Sequence, residues 1–152
     1  EGFVLVIPAD GWDNGGMLRF TFSETDPLSP MPAIPANLVS DPVSAAFSAS
    51  GELFVGNRHG NVGGGIGSIS RFTFDHTGQF TPNGTITGNG LEAVHGMAFS
   101  PQGELFAVNY RVGTISRFLF DQNGAAIPHG TLSGRALFEL AFSPALPIVC
   151  AL

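Results

Sequence analysis

Residues 46–57 read AFSASGELFVGN, and residues 98–109 read AFSPQGELFAVN. Two further blocks follow each of them in the same order. Residues 68–75, SISRFTFD, return at 114–121 as TISRFLFD, and residues 82–88, PNGTITG, return at 128–134 as PHGTLSG. Three matched blocks in one order mark an internal repeat, which decides the architecture before any single residue is weighed. The AFS signature recurs once more at Ala141-Phe142-Ser143, so its spacings are 52 and 43 residues. That period suits a propeller blade and exceeds the roughly 20–30 residues of a solenoid turn.

Each unit reads as four strands. Strand A ends in AFS, and a tight turn reverses it into strand B, ELFVGN or ELFAVN. Strand C is SISRFTFD or TISRFLFD, and strand D lies near GTITG or GTLSG. Gly, Asn, Asp and Pro between these runs supply turn conformations. Phe72 and Phe74 alternate with Arg71 and Thr73, so both rings share one face of strand C; Phe118 with Phe120, and Phe20 with Phe22, repeat the arrangement. A lone sheet leaves such a row in water, whereas stacked sheets bury it at about 1.5–3 kcal/mol per fully covered side chain.

The expected fold is therefore all-β, a propeller segment of about three four-stranded antiparallel blades within one partial domain, residues 1–152. Residues 1–40 form a blade without strand A, with strand D near Met31–Leu38. Residues 41–88 and 89–134 form full blades, and 135–152 begin another, with Ile148–Leu152 starting its strand B. Propellers have about 4–8 blades. Three cannot close a ring, so the chain is expected either to be a piece of a longer propeller or to be completed by oligomerisation. In the second case the tail's strand A joins the next chain's first blade, and two chains supply six blades.

Composition narrows the function classes. The chain has 21 Gly, 11 Pro and 14 Phe, and its charged fraction is 12%, about half the usual value. It has no lysine and a formal charge of −6, a poor match for nucleic-acid backbone or an anionic membrane surface. No apolar run is long enough for a membrane span. The single Cys150 reads as a small buried hydrophobe and allows no internal disulfide. The acidic, lysine-free balance points to an extracellular or envelope setting. Asn83-Gly84-Thr85 is a sequon, a glycan acceptor if the chain follows a eukaryotic secretory route.

Polar residues with functional potential gather in the B–C and D–A connections, which emerge together at the mouth of a propeller channel. Glu92 and His95 lie three residues apart just before strand A and form a candidate general base and partner. Asn57, His59, Asn109, Tyr110 and Arg111 are candidate ligand-binding residues on the B–C loops. No cofactor is required, although Asp10, Asn57, Glu92 and Asn109 offer oxygen donors suited to Ca²⁺. Ordinary solvated loop polarity explains the same residues, and turn capping explains Asn57 and Asn109. Arg19, Arg71 and Arg117 recur at one strand-C position, as expected of a snorkelling or inter-blade contact. Residues 60–67, GNVGGGIG, lack the Lys-Ser/Thr of a phosphate loop.

Residues 95–134 carry a family resemblance: His95 ahead of AFSPQG, AVNY at the end of strand B, and TISRFLFD followed by a Gly turn. This blade resembles those of the seven-bladed lactonase group, the 6-phosphogluconolactonase-like and YVTN-repeat propellers, and more loosely NHL-repeat propellers. The resemblance covers residues 41–144. It implies the fold and, if activity travels with it, hydrolysis of a sugar lactone with Glu92 and His95 as acid–base residues. Propellers host enzymes and passive platforms alike. The primary expectation is a non-catalytic interaction or assembly module that self-associates, with a lactonase-like hydrolase, or a fragment of one, as the alternative.

Overall fold

A computed structural model describes residues 2–7, 16–22, 25, 28–59, 66–135 and 137–142. Three antiparallel sheets follow one another along the chain. The first contains β1 (Gly2–Val6), β2 (Met17–Phe22) and β3 (Ser29–Ile34) in that order. The second runs β4 (Pro42–Phe47), β5 (Leu53–Asn57), β6 (Ser68–Phe74), β7 (Phe80–Ile86). The third repeats it with β8 (Val94–Phe99), β9 (Leu105–Asn109), β10 (Thr114–Phe120) and β11 (Ala126–Ser133). There is no α-helix among the described residues, and thus no helix able to cross a membrane. The architecture is an open arc of propeller blades, with β1 at the position of strand B.

Local chemistry repeats with the sequence. The A–B turns close through Ser48 N–H to Glu52 O at 2.9 Å and Ser100 N–H to Glu104 O at 2.8 Å. The shared P-x-G-T motif of strand D makes a bulge: Ser70 pairs with Thr85 and Phe72 with Pro82, leaving Asn83 and Gly84 between them. Gly84 and its counterpart Gly130 have φ of 88° and 82°, a region that L side chains rarely enter. In the first blade, strand D covers Ser29–Ile34 instead of the expected Met31–Leu38. Pro35 has no N–H to extend the ladder, and Ala36–Leu38 form a 3₁₀ turn closed by Leu38 N–H to Pro35 O at 3.0 Å.

The core lies between sheets, not within one. Met17 and Ile34 of the first sheet meet Leu53, Val55 and Phe72 of the second. On the far side of the second sheet, Phe54, Ile69 and Ile86 meet Met97, Leu105 and Phe118 of the third. Strand β5 is thus covered on both faces, which explains its unbroken apolar run where a half-exposed strand would alternate. Phe72 and Phe118 are each 1% exposed, whereas Phe22 of the first blade is 44% exposed because its face looks away from the second sheet.

Two of the three strand-C arginines, Arg19 and Arg71, reach into the next blade, and Arg117 stays within its own. Arg19 is buried and donates to the carbonyls of Gly78 and Pro32, with its guanidinium 5.0 Å from the Phe74 ring of the next blade. Arg71 holds Glu52 through two bonds of 2.8 and 2.9 Å and lies 5.5 Å from the Phe120 ring of the third blade. Arg117 binds Glu104 at 2.8 Å and covers Phe106 of its own blade. Burial raises the Glu104 carboxyl, but hydrogen bonds from Arg117 and His129 outweigh it and hold the group below its ordinary value.

Candidate functional site

The innermost strands of the two complete blades, β4 and β8, lie side by side and form the inner wall of the arc. Residues 137–142 continue this wall. Gly96 makes the close approach possible: a Cβ there would lie 2.7 Å from both Glu139 Cα and Phe138 O. A cleft of about 300 Å³ opens along this wall. It is lined by Val43, Ser44 and Ala45, by His95, Gly96 and Met97, and by Phe138 and Glu139. The volume sits at the small end of ligand pockets.

Two rings, His95 and Phe138, line the cleft, and Tyr110 packs against both. His95 lies 4.7 Å from Tyr110 and 5.8 Å from Phe138, and Tyr110 and Phe138 are themselves 4.7 Å apart between centroids. Burial lowers the His95 pKa below the ordinary imidazole value; Arg58 pushes the same way and Asp41 opposes them. His95 is therefore neutral at pH 7, able to accept a proton at one nitrogen and donate from the other. The Ser44 hydroxyl is buried against Gly56 on the neighbouring strand, so His95 is the titratable ring that the cleft presents.

The rim is built from ion pairs. Asp41 Oδ2 lies 3.4 Å from Arg58 Nε and 3.4 Å from His59 Nδ1. Glu92 Oε1 lies 3.5 Å from Arg111 Nη1. Asp41 and Ala93 occupy equivalent positions and both have positive φ, 49° and 47°, so the chain turns sharply where it enters each strand A. No hydrogen bond or ion pair joins Glu92 to His95. The sharp turn at Ala93 separates them: Glu92 serves the rim with Arg111, while His95 joins the ring cluster in the cleft.

Asn57 and Asn109 do the same work in successive blades. Asn57 Oδ1 accepts from Ser40 N–H at 2.9 Å, and its Nδ2 donates to Ser68 and Ser70 hydroxyls, both at 3.0 Å. Asn109 Oδ1 accepts from Glu92 N–H at 3.0 Å, and its Nδ2 donates to Thr114 at 3.0 Å and Ser116 at 2.8 Å. Both side chains are fully buried. This geometry favours caps that pin the D–A loop to strands B and C over metal ligation. Asp10 lies outside the described residues, and among the described residues no three His, Cys, Asp or Glu side chains converge as a metal site.

Of the candidate binding residues, His59 pairs with Asp41, Arg111 pairs with Glu92, and Tyr110 stands in the ring cluster with His95. Phe138 and Ser44 were not among the residues singled out from sequence. A signal for Phe138 was present, because the AFS repeat aligns it with His95 and Val43.

No protein-family model matches the sequence, and no curated protein matches it. Solved structures do match in fold. The periplasmic gluconolactonase of Pseudomonas aeruginosa aligns with a TM-score of 0.62 at 20% identity, over 82% of this chain and 36% of that one. A candidate 6-phosphogluconolactonase of Bacteroides fragilis gives 0.66 at 21%, over 86% and 35%. A protein of Lactobacillus plantarum gives 0.67 at 16%, over 86% and 36%. The likeness is one of fold, a β-propeller in part: the chain spans about a third of the length of these structures.

Proposed function

We propose that this chain is a propeller segment acting as a binding and assembly module, without a hydrolytic centre of its own. The observation that carries this reading is the separation of the two groups best suited to acid–base work. Glu92 is engaged by Arg111 at 3.5 Å, and the charges acting on His95 are those of Arg58 and Asp41. Neither group orients the other, as the base and its orienting partner do in a preassembled catalytic centre. What remains at the channel mouth is a ring-lined cleft with a charged rim, the makings of a binding surface.

A second reading, a lactonase-like hydrolase or part of one, is favoured by the likeness to the Pseudomonas gluconolactonase and by the neutral His95 in a cleft. That protein's periplasmic setting, with the absence of lysine here, also supports an envelope or extracellular location. Asn83, exposed on β7, donates to Glu52 at 2.8 Å and stays open to a glycan on a eukaryotic route. Sugar-lactone hydrolysis measured against the spontaneous rate separates the readings. The module reading expects no excess rate. An excess that disappears in Glu92→Gln or His95→Ala would establish the hydrolase instead.

A further inference from the structure

We propose that the cleft beside His95 binds a small organic cation, an alkylated ammonium, with its charge against Glu139 and its apolar body over Phe138 and Tyr110. The inference rests on the binding-module reading above and names the chemical class of ligand for that cleft.

Charge selects the sign of the ligand. Glu139 is the one carboxylate among the residues that line the cleft, and no lining residue is Arg or Lys. The other charged groups nearby have partners of their own. Asp41 lies 3.4 Å from both Arg58 and His59, and Glu92 lies 3.5 Å from Arg111. Arg135 sits by the Gly113 turn and does not line the cleft. Among the described residues no ion pair or hydrogen bond reaches Glu139, which is exposed. His95 adds no positive charge at pH 7, because burial and Arg58 lower its pKa. The cleft thus presents an unneutralised carboxylate on a chain of net charge −6, and it draws cations over anions.

The rings supply a surface for the same charge. Phe138 is 55% exposed and Tyr110 is 41% exposed. The face of an aromatic ring is negative and attracts a cation placed over it. Elsewhere in the fold this contact is made internally, with Arg19 5.0 Å from the Phe74 ring and Arg71 5.1 Å from the Phe54 ring. Among the described residues no guanidinium covers Phe138 or Tyr110.

Hydrogen-bonding capacity selects the kind of cation. With Ser44 Oγ buried against Gly56, the lining side-chain acceptors are Glu139 and one nitrogen of His95. A primary ammonium or a guanidinium brings several N–H donors that this lining leaves short of partners. A fully alkylated ammonium brings none, and Val43, Ala45 and Met97 offer its methyl groups an apolar wall.

The test is titration calorimetry on the full chain at pH 7 and low salt. It compares choline with dimethylbutanol, the same shape with carbon in place of nitrogen. Choline should bind about tenfold more tightly. Glu139→Gln should weaken choline about tenfold and leave dimethylbutanol unchanged, and Phe138→Leu should weaken choline several-fold, both with unaltered far-UV circular dichroism. Phe22→Leu removes an exposed ring on the first sheet and should leave choline binding as it was. Equal affinity for the two compounds overturns the proposal, as does choline binding that never saturates or that survives Glu139→Gln intact. A loss of binding in Phe22→Leu equal to that in Phe138→Leu overturns the cleft as the site. Lactone hydrolysis is scored apart from these: failure of choline without hydrolysis sinks this ligand class alone, and hydrolysis above the spontaneous rate sinks the reading beneath it.

Discussion

Replacing Asn57 with Ala is expected to destabilise the fold by about 3–4 kcal/mol. Asn57 is fully buried, and its amide makes three hydrogen bonds, to Ser40 N–H and to the hydroxyls of Ser68 and Ser70. Each such bond is worth about 0.5–1.5 kcal/mol net, and a buried donor left unpaired costs about 1–3 kcal/mol. The Ser40 N–H is the donor most exposed to that penalty. The Ser70 hydroxyl already donates to Leu38 O at 3.0 Å and keeps that bond. With an m value of about 2 kcal/mol/M, the urea midpoint should fall by about 1.5–2 M. Asn57→Asp should also destabilise, because it brings a charge into a site with no counter-ion. A midpoint drop under about 0.5 M for Asn57→Ala would refute the capping argument. So would added CaCl₂ that stabilises the Asp variant above the parent, since an oxygen-ligand site gains from the carboxylate.

Arg71→Met should cost about 2–3 kcal/mol in urea unfolding, because it removes the paired bonds to Glu52 and the cover over Phe54 and Phe120. A double-mutant cycle with Phe120→Leu should return a coupling of about 0.5–1 kcal/mol, and no coupling would deny the inter-blade contact. Because His95 has a lowered folded pKa, the unfolded chain takes up the proton first as pH falls below about 6.5. Stability should thus be full above that value and decline below it, and His95→Phe should flatten the decline in thermal midpoints measured from pH 7.5 to about 5. A parent curve with no acid-side slope assignable to His95 would contradict the burial argument. Gly96→Val should drive residues 137–142 off the third blade, since its Cβ would lie 2.7 Å from Glu139 Cα. Chymotryptic cleavage at Phe138 and Phe142 should then quicken several-fold while the sheet signal in circular dichroism persists; unchanged cleavage would mean the segment does not need that approach.

The repeat was legible because blades obey local rules. The Gly84 and Gly130 bulges, the Asx-type turns at Asp75 and Asp121, and the Phe alternation each follow from a few adjacent residues. Strand D of the first blade was misjudged by its bounds because Pro30, Pro32 and Pro35 blur the strand signal there. The capping role of Asn57 and Asn109 was visible in their equivalent positions. The pairing of Glu92 with Arg111 was not, because a spacing of three residues says nothing about a positive φ at Ala93 between them.

The sequence by itself determined the all-β blade, its strand order and the faces that must be covered, since each depends on alternation and turn chemistry within one unit. Which arginine meets which ring, which strands wall the cleft, and which charges reach His95 were decided only in three dimensions. Most of those contacts join residues from different blades, far apart in sequence, at distances set by how twisted sheets stack.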